Sequence, residues 1–82
     1  MNRELTIPST EFLESLPTFR QILVASFYCL SKHQEGVGYA TAEHVETTYH
    51  KMIRGEMEES EWFALECQHR QIFAKCNELE GE

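Results

Sequence analysis

Nine consecutive residues, Ile22-Leu23-Val24-Ala25-Ser26-Phe27-Tyr28-Cys29-Leu30, constrain this chain more than any other stretch. Eight are apolar or aromatic, and the ninth is Ser26. A segment without a polar face must be covered by neighbours on all sides. Each fully buried Leu, Ile, Val or Phe contributes about 1.5–3 kcal/mol, so this run can supply much of a small core. Periodicity does not separate a buried strand from a buried helix. The flanks decide. Ser15-Leu16-Pro17 reads as a helix start, with Ser15 or Leu16 as the cap and Pro17 near the first helical position. No turn signal follows until Gly36, and Lys32 and His33 suit the carbonyl end of a helix. A helix from Pro17 to about His33 is therefore expected, enclosed by its neighbours.

The other segments are arranged around it. Residues 1–8 read as an extended arm, because Pro8 keeps Ile7 out of the helical region. Ser9 or Thr10 caps a short helix with Glu11 in its first turn, stopping at Leu16-Pro17. Gln34-Glu35-Gly36-Val37-Gly38-Tyr39 reads as a helix stop and a turn, a plain connector. Thr41 caps the next helix, whose apolar face is Ala42, Val45, Tyr49, Met52 and Ile53; Gly55 ends it near Arg54. Glu56 to Ser60 form an acidic connector or helix start. One long final helix then runs to about Leu79, with Trp62, Leu65, His69, Ile72, Cys76 and Leu79 at steps of three and four. Residues 80–82 are expected to fray. The fold class expected is all-α: one helical domain over 1–82, a small bundle of three main helices plus a short N-terminal helix, with a hydrophobic central helix and a long C-terminal one.

Charge narrows the partners. The net charge is −7, and all fourteen acidic residues are Glu. Residues 1–55 carry six Glu against five Lys and Arg, whereas residues 56–82 carry eight against two. Nucleic-acid affinity rests on basic clusters, so this balance weighs against DNA or RNA as a partner. No run of 18 apolar residues exists, so no membrane span is expected, and Met1-Asn2-Arg3-Glu4 lacks a signal-peptide core. A cytoplasmic location follows as an expectation. There Cys29, Cys67 and Cys76 read as buried, small apolar residues.

Chemistry-bearing constellations are scarce. His33, His44, His50, His69 and the three cysteines are the metal candidates, but no C-x-x-C or H-x-x-x-H pairing occurs. No serine elbow or exposed Cys–His pair is recognisable, and the glutamates read as a solvated face. No enzyme activity, cofactor or metal is expected.

The stretch from Arg20 through Tyr49 resembles the opening of a helix-turn-helix or winged-helix domain: an apolar helix, a Gly-containing loop, then a helix opening with Thr41-Ala42-Glu43. The resemblance implies a DNA-binding ancestry acting through Lys51, Arg54 and Arg20. It breaks down afterwards, because the next helix is long and acidic and no strand-turn-strand wing follows.

The functional expectation is a small acidic interaction module acting by surface occupation, an inhibitor or adaptor. Its partner-binding residues would be Glu56, Glu58, Glu59, Glu61, Trp62, Phe63, Leu65, His69, Ile72 and Phe73. The acidic group would steer onto a basic patch of another protein, competing for a nucleic-acid groove as small phage-like inhibitors do. Phe63 and Phe73 widen the terminal stripe beyond what one internal seam needs, so a homodimer through the last helix is the second expectation. A regulator or dimerisation module of helix-turn-helix descent is the third.

Overall fold

In the computed structural model, residues 5–38 and 40–81 are described; the first half of the expected arm, Tyr39 and Glu82 lie outside them. Among the described residues five helices follow in order: α1 (Thr10–Glu14), α2 (Thr18–His33), α3 (Ala42–Ile53), α4 (Glu59–Cys67) and α5 (His69–Glu80). No strand occurs among the described residues, where the only pairing is an isolated bridge between Val37 and Ala40. The fold is all-α, as expected. No helix among these residues is long and apolar enough to cross a membrane.

The helix ends show why the segments divide as they do. Ser9 Oγ accepts from Phe12 N at 3.1 Å and caps α1. Ser15 does not cap α2; its hydroxyl donates to Phe12 O at 2.6 Å and closes α1 instead. The cap of α2 is Pro17 itself, extended at φ −58° and ψ 152°. At the far end Gln34 takes the left-handed conformation at φ 56°, and Glu35 N donates to Leu30 O at 3.0 Å. That is the six-to-one bond of a Schellman ending, a position glycine usually fills. The following turn is tight: Val37 and Ala40 exchange both backbone hydrogen bonds. A Cβ on Gly36 would meet Ala40 O at 2.2 Å, so the backbones approach too closely there for any side chain. Thr41 caps α3 through His44 N, and Gly55, at φ 72°, ends it as expected.

The core is one cluster. Leu23, Val24, Phe27, Cys29 and Leu30 from α2 meet Val45, Tyr49 and Met52 from α3, then Trp62, Ile72 and Cys76 from the last two helices. Helix α2 packs most extensively on α3, less on α5 and less again on α4. Tyr49 is fully enclosed, and its hydroxyl donates to the carbonyl of Thr6, tying the extended arm across α3.

Three expectations are corrected. The long terminal helix is two helices, with Gln68 at φ −101° and ψ 10° between them. The cause is local. His69 Nδ1 lies 2.8 Å from Glu66 O, so a side chain takes a carbonyl that the helical ladder would otherwise use. The stripe survives the break, since Trp62, Ile72 and Cys76 are all buried. Secondly, α2 is not enclosed on every side: Ile22 is 46% exposed, and Phe19 and Ala25 are also at the surface. Thirdly, Glu80 is not frayed but is the last residue of α5, and Gly81 N bonds Asn77 O at 2.7 Å.

Candidate interaction surface

The surface of interest lies where the N-terminal half of α2 meets α4 and α5. Arg20 organises it. Its guanidinium is bidentate on Glu59 at 2.6 and 3.1 Å, and its Nε donates to Glu66 at 3.1 Å. The guanidinium carbon also stands 5.0 Å from the Trp62 ring centroid, over a ring that is 5% exposed. Bidentate pairing combined with stacking over an aromatic ring is a geometry that Lys cannot reproduce. The Glu59 bond is the main reason the Arg20 pKa is raised, and Arg20 in turn holds the Glu59 carboxyl below the usual carboxylate range.

Next to this lock, three rings form an edge-to-face group. Phe19 is 5.2 Å from His69 and 6.2 Å from Phe73, and His69 is 5.4 Å from Phe73. Phe63 stands on α4, four residues after Glu59 and three before Glu66, which places it on the face carrying both partners of Arg20. It is 65% exposed. Phe19, Ile22 and Phe63 are thus large apolar groups left at the surface, as is Ile7 in the extended arm.

The ten expected contact residues separate on the structure. Phe63 is exposed, while Leu65, His69 and Phe73 are half-buried. Trp62 and Ile72 are core residues and present nothing to a partner in this conformation. The carboxylates divide as well. Glu61 pairs with Lys51 and accepts from Glu58 N at 3.0 Å, which closes the first turn of α4. Its pKa is lowered chiefly by the Lys51 bond. Glu59 belongs to the Arg20 lock; Glu56 and Glu58 are exposed. Much of the acidic cluster therefore serves to start and dock α4.

The cations implied by the helix-turn-helix resemblance are engaged similarly. Arg20 and Lys51 are held in ion pairs, and Arg54 is exposed at the end of α3. A cleft of about 290 Å³ lies between α3 and the last two helices, with Phe27, Leu65 and Ile72 inside and the Lys51–Glu61 pair at its edge. Its charged groups neutralise one another.

Cys67 is exposed, contrary to expectation, whereas Cys29 and Cys76 are buried. Burial, followed by Glu80, pushes the Cys29 thiol up to about 12, so it stays protonated near neutrality. Cys29, His33 and Glu80 come together across α2 and α5. Sequence reading looked for pairs within one stretch and passed over this set. Its signal was Cys29 with His33 and Cys76 with Glu80, each four apart, on two helices that had first to be known to face each other. Comparison with known proteins finds no family model, no curated protein and no solved structure that matches this chain.

Proposed function

We propose that this chain is a small helical interaction module, an inhibitor or adaptor that works by occupying a surface of another protein. The observation that carries the reading is the exposed apolar ground of Phe63, Phe19 and Ile22 beside the Phe19–His69–Phe73 ring group. Aromatic residues in such positions are typical anchors at protein interfaces. The exposed Glu56 and Glu58 lie just ahead of α4, at the edge of that ground, and supply steering toward a basic partner. The module works without catalysis.

Charge mimicry of a nucleic acid is the weaker form of this proposal, because Glu59 and Glu61 are occupied by Arg20 and Lys51. The same two ion pairs remove support from DNA contact through those cations. The experiment is capture of partners from the native host with three baits: the parent chain, Phe63→Ser with Ile22→Ser, and Glu56→Lys with Glu58→Lys. Loss of a specific partner in the apolar variant and retention in the charge-reversed one is the expected pattern. The opposite pattern would establish mimicry, and no specific partner for any bait would refute the proposal.

A further inference from the structure

The C-terminal ends of α2 and α5 bring three metal-ligating side chains together, Cys29, His33 and Glu80, and line the same groove with a fourth, Cys76. Cys29 and His33 stand one turn apart on α2; Cys76 and Glu80 stand one turn apart on α5. Residues four apart on a helix share a face, so each helix presents a thiol and then a second donor one turn later. The Sγ of Cys29, a ring nitrogen of His33 and a carboxylate oxygen of Glu80 all lie within 4.8 Å of one another. Cys76 Sγ donates to the carbonyl oxygen of Ser26 at 3.3 Å, one turn before Cys29 on α2. We propose that Cys29, His33 and Glu80, joined by Cys76 as a fourth donor when the ion enters, form a zinc site that clasps the last turn of α5 to the last turn of α2.

The donor set selects the ion. Two thiols, an imidazole and a carboxylate are borderline-soft ligands, which suit zinc and exclude magnesium or calcium as preferred occupants. Zinc bonds of about 2.0–2.3 Å put tetrahedral ligands roughly 3.3–3.8 Å apart. Cys29, His33 and Glu80 lie within 4.8 Å of one another, so their donors draw inward on binding. His33 and Glu80 are both exposed and can change rotamer toward Cys29, which is fixed in the core. The groove between the helices, lined by Ile22, Ser26, Cys29, Phe73, Cys76 and Glu80, gives an ion a path to the thiols.

The alternative account of each residue is ordinary. His33 would complement the helix dipole, Glu80 would be solvated, and the thiols would be small core groups. That account gives no reason for Cys29, His33 and Glu80 to converge. Zinc does, and it would secure the helix that closes the core of a small domain, where metals commonly supplement limited apolar burial.

The test is a titration of the reduced chain with Co²⁺ alone, under a non-thiol reductant, followed by Zn²⁺. Thiolate-to-cobalt charge transfer and strong tetrahedral ligand-field bands should saturate at one equivalent, and zinc should abolish them. His33→Ala with Glu80→Gln alters only exposed side chains. It should weaken binding at least tenfold and remove the rise in melting temperature that zinc gives the parent chain. Cys67→Ser, outside the cluster, should leave the titration unchanged. Absence of the charge-transfer band would overturn the site. So would affinity unaltered in the double variant, or a signal lost with Cys67.

Discussion

The two sides of α2 are built differently. Toward α3 its residues Leu23, Val24, Phe27 and Leu30 vanish into a core shared with Val45, Tyr49 and Met52. Toward α5 it keeps Ile22 and Ala25 at the surface, above a groove where Phe73 and Cys76 are reached. Both sides come from one nearly unbroken apolar run. The difference lies in what faces them. Helix α3 offers a continuous apolar stripe along its length, whereas the final segment breaks at Gln68 and docks partly through an arginine lock. Stability is concentrated on the first side, and surface available for recognition on the second.

The sharpest way to break that contrast is a matched pair of truncations. Leu30→Ala removes a fully buried side chain and should cost about 2–5 kcal/mol in chemical denaturation. Ile22→Ala, on the open side, should cost well under half as much. Equal losses would mean that the groove closes in solution and the two sides are alike.

Tyr49 sharpens the closed side through its pH dependence. Burial, with a smaller contribution from Tyr28, pushes its phenol from 10.0 up to about 12. Between those values the unfolded chain has lost the Tyr49 proton while the folded chain retains it. Stability therefore falls as pH rises through that window. Thermal melts from pH 9 to 12 should show the decline, and Tyr49→Phe should flatten it while losing the bond to Thr6 O. A decline that is unchanged in the variant would show that Tyr49 is open to water.

The open side should respond at the other end of the scale. Glu59 is held below its ordinary value by Arg20, so its contribution is present above the unfolded pKa of about 4.5 and disappears as pH falls through the folded one. Glu59→Gln should lose part of the stability at neutral pH and weaken the acid dependence. Added salt should reduce the difference, because this carboxylate is mostly in water.

The contrast was only half legible in the sequence. The stripe Val45, Tyr49, Met52, the cap Thr41 and the stop at Gly55 follow local rules, and the structure keeps them. The apolar run was equally plain as a helix. What could not be read was anything set by a second element. The break at Gln68 depends on His69 reaching back to Glu66 O, which a regular three-and-four spacing conceals. Trp62 looked like an interface anchor because aromatic stripes give no sign of which partner, internal or external, will cover them. The acidic cluster looked free because its partners Arg20 and Lys51 lie 39 and 10 residues away in sequence. The Cys29–His33–Glu80 convergence needed the α2–α5 pairing before it had meaning.

A smaller effect concerns how α2 hands the chain to α3. Gln34 holds a left-handed conformation that its Cβ disfavours, and no close contact of its side chain compensates among those described. Gln34→Gly should stabilise the chain by about 0.5–1 kcal/mol, read from the denaturation midpoint at unchanged slope. A loss would mean that the glutamine side chain holds the turn.

The smallest expected change in stability comes at the most exposed aromatic. Phe63→Ser removes a side chain that is 65% in water, so folding should shift by no more than about 0.5 kcal/mol. Its effect belongs to association. If this face receives a second copy of the chain, light scattering of the parent protein at high micromolar concentration should give a dimer mass and the variant a monomer. If the face is reserved for a different protein, both should be monomeric, and only the variant should fail to retain that partner. A large stability loss in Phe63→Ser would contradict both outcomes, since it would make Phe63 part of the core and leave the open side of α2 without its anchor.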